Sequence, residues 1–187
     1  MAVPKPAPPC VQLVAAFSRY PEALDACRGQ VESKWGPVAL ASELFDHSET
    51  SYYEKEMGAG LKKQFWITQG IYDPATLSKT KLQSNEWETD LAISLNHPEK
   101  RPVNIDPGYI TLTKLVLASA KDRAHRIYLA DGIFAEECLY YLDHRWQARP
   151  WTYPDYQRAD FQAFFVQARE FLKQLIKTET NPSGETN

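Results

Sequence analysis

A single-domain α+β fold is predicted, with a ferredoxin-like mixed or antiparallel sheet, an added β-hairpin and a long C-terminal helix. Three observations carry it. The chain opens with a strand–helix–strand pattern, holds an Asp-Gly turn between two apolar runs, and closes with an amphipathic helix. Its 187 residues suffice for one well-filled core, and no interior linker divides them.

Residues 1–10, with Pro4, Pro6, Pro8 and Pro9, cannot build regular ladders and read as a flexible arm. The domain is expected over residues 11–177, and residues 178–187, with Pro182 and Gly184, read as a disordered tail. Val11 to Phe17 is a buried-strand signal. Pro21 sits where a helix accepts proline, with Glu22 and Asp25 near the positive end of the dipole. Ala23, Leu24, Cys27, Val31 and Trp35 recur at helical spacing until Gly36-Pro37 stops the helix. A second strand, Val38 to Phe45, completes a unit whose two strands share a sheet.

After a polar loop, Asp46 to Ser51, the run Leu61 to Thr68 alternates as a third strand, with Leu61, Lys63, Phe65 and Ile67 on one face. Asp73-Pro74 reads as an N-cap and first helical residue, opening a helix to about Leu95. Its stripe of Leu77, Lys81, Ser84, Glu88 and Leu91 is mixed, which predicts a surface helix. Val103 to Ile105 and Tyr109 to Leu112 are expected to flank a turn at Asp106-Pro107-Gly108. Thr113 to Ala120 reads either as a strand, from its β-branched content, or as a helix capped by Thr113. Ile127 to Ala130, Asp131-Gly132 and Ile133 to Leu142 form a hairpin, because a type I′ turn needs positive φ at both central residues. A two-residue turn then places Ala130 opposite Ile133, Tyr128 opposite Ala135, Ile127 opposite Glu136 and Arg126 opposite Glu137. Pro154 to Ile176 is a long helix turning Phe161, Phe164, Phe165, Ala168, Phe171, Leu172 and Leu175 inward.

The formal net charge of −3 exerts no global pull on nucleic acid or an acidic membrane, so any basic site must be local. No apolar run approaches the roughly 18 residues that span a bilayer. Val11 to Phe17 lacks the basic start and cleavage site of a signal peptide, which predicts a cytoplasmic protein. The three cysteines, Cys10, Cys27 and Cys138, are odd in number and form no CxxC pair, so free thiols are expected. The chain has no G-x-x-x-x-G-K-[ST], no full G-x-G-x-x-G, no G-x-S-x-G and no HExxH.

Chemistry concentrates between Asn104 and Glu137, where basic groups precede a tight turn and acidic groups follow it. Lys114, Lys121, Arg123 and Arg126, with Asn104, are candidates to bind a phosphate or carboxylate, arginine through its planar fork and lysine as a point charge. His125 is the candidate proton carrier, its ordinary pKa of about 6.5 lying near neutrality, and Asp106 is a second catalytic candidate. Asp106 with Glu136 would suit a hard cation such as Mg²⁺. A second polar cluster, Asp46-His47-Ser48-Glu49 with Tyr52, Tyr53, Glu54 and Glu56, would meet the first if that strand end borders the hairpin. Trp146, Trp151, Tyr153 and Tyr156, interleaved with Arg145, Arg149 and Arg158, form either a stacking surface for protein or RNA or a cap over the sheet.

Several runs carry a resemblance. Tyr52-Tyr53 with Glu56-Met57-Gly58, Val103 to Tyr109, Lys114 to Ala118, Lys121 to Leu129 and Trp151 to Tyr156 together resemble an uncharacterised prokaryotic family, DUF4416, over about Val11 to Leu175. The resemblance implies no established activity. The expectation is therefore a small anionic, phosphate- or nucleotide-like ligand near residues 121–137, with Mg-assisted phosphoryl or hydrolytic chemistry if the protein is an enzyme. The alternative is a non-catalytic module using the 146–156 surface.

Overall fold

The computed structural model describes residues 1–48 and 53–180. Glu49 and Tyr52, counted above with the second polar cluster, lie outside the described residues, as do residues 181–187. In chain order the elements are β1 (Val11–Ser18), α1 (Pro21–Lys34), β2 (Val38–Ala41), β3 (Phe45–Asp46), α2 (Glu54–Met57), β4 (Lys62–Thr68) and α3 (Leu77–Leu95). They continue with β5 (Val103–Ile110), β6 (Lys114–Ser119), β7 (Ile127–Ala130), β8 (Ile133–Leu142), β9 (Arg145–Ala148) and α4 (Ala159–Thr180).

Nine strands form one sheet in the order β2-β4-β1-β5-β6-β8-β7, with β3 on β4 and β9 on β8. Its pairings are antiparallel. The order β2-β4-β1-β5, with α1 and α3 as the crossovers, is the split β-α-β arrangement of a ferredoxin-like sheet. The β6–β9 strands extend it past β5. The ambiguous 113–120 run is thus a strand, and the expected second strand is divided into β2 and β3.

Helices cover both faces. On one, Val14 and Ala16 of β1 pack with Ala23, Leu24, Cys27 and Val31 of α1 and with Trp87 and Leu91 of α3. On the other, Leu13 and Ala15 pack with Phe161, Phe164, Phe165, Ala168 and Leu172 of α4. This explains why β1 reads as a continuous apolar run: every residue in it is buried. The helix α4 runs to Thr180, three residues into the expected tail. Cys10 of the expected arm is buried, its thiol donating to the Tyr72 carbonyl at 3.2 Å. All three cysteines are free and buried, and burial pushes the Cys10 thiol up to about 12 and the other two up as well.

Three expectations are corrected. First, Asp106-Pro107-Gly108 is no turn but the middle of β5, which pairs with β1 along its whole length. Against β6 it pairs only from Gly108 to Ile110. Proline ends that ladder because it has no N–H to donate. Glycine at 108 permits the close approach that follows, since a Cβ there would sit 2.1 Å from the Val116 carbonyl oxygen.

Second, α3 does not turn its mixed stripe to solvent. Leu77, Lys81, Ser84, Glu88 and Leu91 are all buried. The polar members replace the strand that β5 lacks above Gly108. The Ile105 N–H donates to Glu88 Oε1 at 2.8 Å, and the Ile105 carbonyl accepts from Lys81 Nζ at 2.7 Å and Ser84 Oγ at 3.2 Å. Buried backbone groups must be satisfied somewhere, and here helix side chains do it.

Third, the β7–β8 hairpin is shifted by one residue from its expected register. Asp131 (φ 54) and Gly132 (φ 76) make the turn as predicted. A bulge between Tyr128 and Ala130 then puts Tyr128 opposite Phe134 and Ile127 opposite Ala135. Arg126 therefore meets Glu136 rather than Glu137, which pairs instead with Arg149 at 2.7 Å.

Candidate functional site

Where β5 and β6 part above Gly108, the sheet opens into a cavity of about 580 Å³. Among the described residues six cationic side chains line it, Lys63, Lys81, Arg101, Lys121, Arg123 and Arg126, against three carboxylates, Asp106, Asp155 and Glu136. Asn104, His47 and the rings of Phe17, Tyr53, Tyr153 and Tyr156 complete much of the wall. Burying this many ionic groups opposes folding unless each finds partners, so the wall is made of networks.

The β5 wall is held from α3. Asp106 accepts from Lys81 Nζ at 3.0 Å on Oδ1 and from Asn104 Nδ2 at 2.6 Å on Oδ2. Asn104 accepts in turn from Arg101, whose Nε donates to Glu88 at 2.9 Å. Burial raises the Asp106 carboxyl, but the Lys81 ammonium, with Asn104 and Arg101, outweighs it and holds the group below the ordinary carboxylate range. Glu88 goes the other way: its burial prevails over Lys81 and Arg101 and lifts it. Asp106 is thus kept as a hydrogen-bond acceptor.

The opposite wall comes from β8 and the hairpin. Glu136, 1% exposed, accepts from Arg126 Nε at 2.7 Å. Arg126 also donates to Ser119 Oγ at 2.8 Å, the Lys121 carbonyl at 2.7 Å and the Tyr153 hydroxyl at 2.5 Å. These bonds fix the loop between β6 and β7 over the cavity mouth. The floor is Lys63, whose ammonium donates to Asp155 Oδ2 at 2.5 Å, with His47 Nδ1 3.5 Å from the same oxygen. Tyr156 lies beside them, its hydroxyl buried without a hydrogen-bond partner among the described residues.

Of the residues singled out in the sequence, Asn104, Asp106, Lys121, Arg123, Arg126 and Glu136 come together around this cavity. His125 does not line it. Its ring stacks on Trp151 at 5.3 Å and its Nε2 lies 3.3 Å from Glu136 Oε2, behind the wall. Lys114 is elsewhere: it is exposed opposite Tyr140, at the far end of β6 from Ser119 and about 17 Å away along the strand. Asp106 and Glu136 are both engaged by cations, and among the described residues no group of three or more His, Cys, Asp or Glu is placed to hold a metal. From the second cluster, His47 and Tyr53 reach the cavity, while Asp46 is exposed and pairs with Lys62 at 2.5 Å.

The 146–156 segment is divided between core and surface: Trp151 and Tyr153 are partly exposed and the other two rings are buried. Trp146 and Tyr156 are core residues, Trp151 donates to the Glu137 carbonyl at 3.0 Å, and Tyr153 faces the cavity. Arg149 lies 3.8 Å from the Tyr140 ring centroid and Arg158 pairs with Asp160 at 2.6 Å.

Four functional candidates escaped the sequence reading: Lys63, Lys81, Arg101 and Asp155. Two had a signal. Lys63 sits at an apolar position of an alternating strand, and Lys81 sits in phase with Leu77 and Leu91 on α3. A lysine in the apolar phase of an element marks a buried cation that must be paired.

Fold and cavity together define an α+β protein with a ferredoxin-like antiparallel core, extended by a meander and opened at the junction into a charged pocket. The chain belongs to the DUF4416 family, a domain of unknown function, whose sequence model matches residues 9–171. No curated protein and no solved structure matches it. No helix among the described residues is long and apolar enough to cross a membrane.

Proposed function

We propose that the cavity binds a small anionic ligand of phosphate or nucleotide type, and that the protein does so in the cytoplasm, where three free buried cysteines are at home. One observation carries this reading: among the described residues, six cations line one opening with three carboxylates, and Glu88 behind the wall is a fourth that pairs with Arg101. Arg123, exposed at the mouth, makes no ion pair among the described residues, and Arg126 is already oriented by four acceptors. Preset charge of this kind attracts an anion without reorganising to meet it. Asp106 and Glu136 are each held by a cation, so the reading assigns charge recognition to the lysines and arginines.

Thermal shift of the purified protein against phosphate, ATP, GTP and their diphosphates, with and without Mg²⁺, tests it. A ligand at about 100 times its Kd adds roughly 2.7 kcal/mol, or about 5–10 °C for a chain of this size. The shift should fall in Arg123→Ala, whose exposed side chain contributes little to folding. No shift across the panel overturns the reading.

A further inference from the structure

The three carboxylates of the cavity differ in what they have left to accept. Asp155, 5% exposed, takes the Lys63 ammonium on Oδ2 and the Tyr156 N–H on Oδ1, and has His47 at 3.5 Å. Glu136, 1% exposed, takes Arg126 and the Tyr153 hydroxyl on one oxygen and has His125 at 3.3 Å. Its other oxygen lies 3.7 Å from the Cys138 sulfur. Asp106 is 28% exposed at its side chain and takes a single donor on each oxygen, Lys81 on one and Asn104 on the other. Each carboxylate oxygen has two lone pairs, so Asp106 keeps acceptor capacity on the side that faces the cavity.

An accessible carboxylate is out of place in a pocket for a bare anion, which it repels. It fits a ligand that carries donors beside its charge. The size agrees: about 580 Å³ lies within the roughly 300–1,000 Å³ of small-molecule sites and leaves room beyond one phosphate group. The Arg101–Asn104–Asp106–Lys81 chain holds the carboxylate at a fixed angle, as recognition of a hydroxyl requires.

Building on the anion reading, we propose that Asp106 accepts hydrogen bonds from hydroxyl groups of the ligand, and that the ligand is a phosphorylated sugar, free or within a nucleotide. The basic mouth of Lys121, Arg123 and Arg126 takes the phosphate, and Asp106 takes the hydroxyls.

Calorimetric titration of the unaltered protein with inorganic phosphate, ribose 5-phosphate, 2-deoxyribose 5-phosphate and AMP tests this. Ribose 5-phosphate or AMP should bind about tenfold or more tighter than phosphate, the scale of one hydrogen bond to a charged group. Whichever of the two binds tighter tells a free sugar from a nucleotide. Asp106→Asn should bring the sugar ester and phosphate close together while still binding phosphate. Equal binding of phosphate and its sugar esters, or a preference that survives Asp106→Asn, overturns the proposal and leaves the anion site standing. Absence of binding by every anion removes both. Should Asp106→Asn not fold, the ligand series on the unaltered protein decides.

Discussion

Lys63 and Lys81 line the same cavity and are equally buried, each with a side chain 5% exposed, yet they are held by different means. Lys81 has three oxygens around its ammonium: the Ile105 carbonyl at 2.7 Å, Asp106 at 3.0 Å and Glu88 at 3.8 Å. Lys63 has one carboxylate oxygen at 2.5 Å and otherwise ring faces, with Tyr156, Phe17, Phe65 and Phe161 centroids at 4.9, 5.4, 5.7 and 5.9 Å. The first lysine substitutes for a missing strand and ties α3 to β5. The second is a cation settled on an aromatic floor, where the ring quadrupoles offset part of the lost hydration. The difference teaches that buried charge in one pocket can serve backbone architecture on one wall and remain a property of the pocket itself on another.

Removing each lysine should separate the two roles. Lys81→Ala leaves Glu88 and Asp106 without the cation between them and should cost about 3–5 kcal/mol in urea unfolding. Lys63→Met keeps the stem against the rings, and Asp155 retains the Tyr156 N–H. It should cost about 1–3 kcal/mol. Equal losses in the two variants would break the comparison.

A smaller effect lies in pH. Asp106 is lowered from its ordinary 3.8, so its contribution is present above that value and lost as pH falls through the folded one. Glu88 is raised from 4.5, so its contribution is full below that value and lost as pH rises through the folded one. Asp106→Asn should therefore flatten the acid loss of stability below about pH 4, and Glu88→Gln should flatten the change just above pH 4.5. Identical pH profiles for the two variants would show that Lys81 does not divide them.

Elements governed by local rules were legible. The β1 strand, the Pro21 start of α1, the Asp73 cap, the Asp131-Gly132 turn and the inward face of α4 follow from turn chemistry and periodicity, and the structure contains them. What failed depended on partners distant in the chain. Pro107-Gly108 reads as a turn until β1 is known to run alongside it. The α3 stripe looks solvated until Ile105 is seen to need its Lys81 and Glu88. Register slipped because nothing at Leu129 announces a bulge. For the site, residues 104–137 held one half of the wall. The other half comes from β4, α3, the turn before α4 and the separate contributions of Phe17, His47, Tyr53 and Arg101, which only the folded sheet brings near.

The junction between β5 and β6 is three residue pairs long, Gly108 to Ile110 against Leu117 to Leu115. Helix α4 lies across the back of both halves and joins Leu13, Ala15 and Ile110 to Leu115, Leu117 and Leu139 in one apolar cluster. The narrow seam is thereby splinted from behind, so the width of the pocket is a dimension of the core packing rather than of the strand pairing.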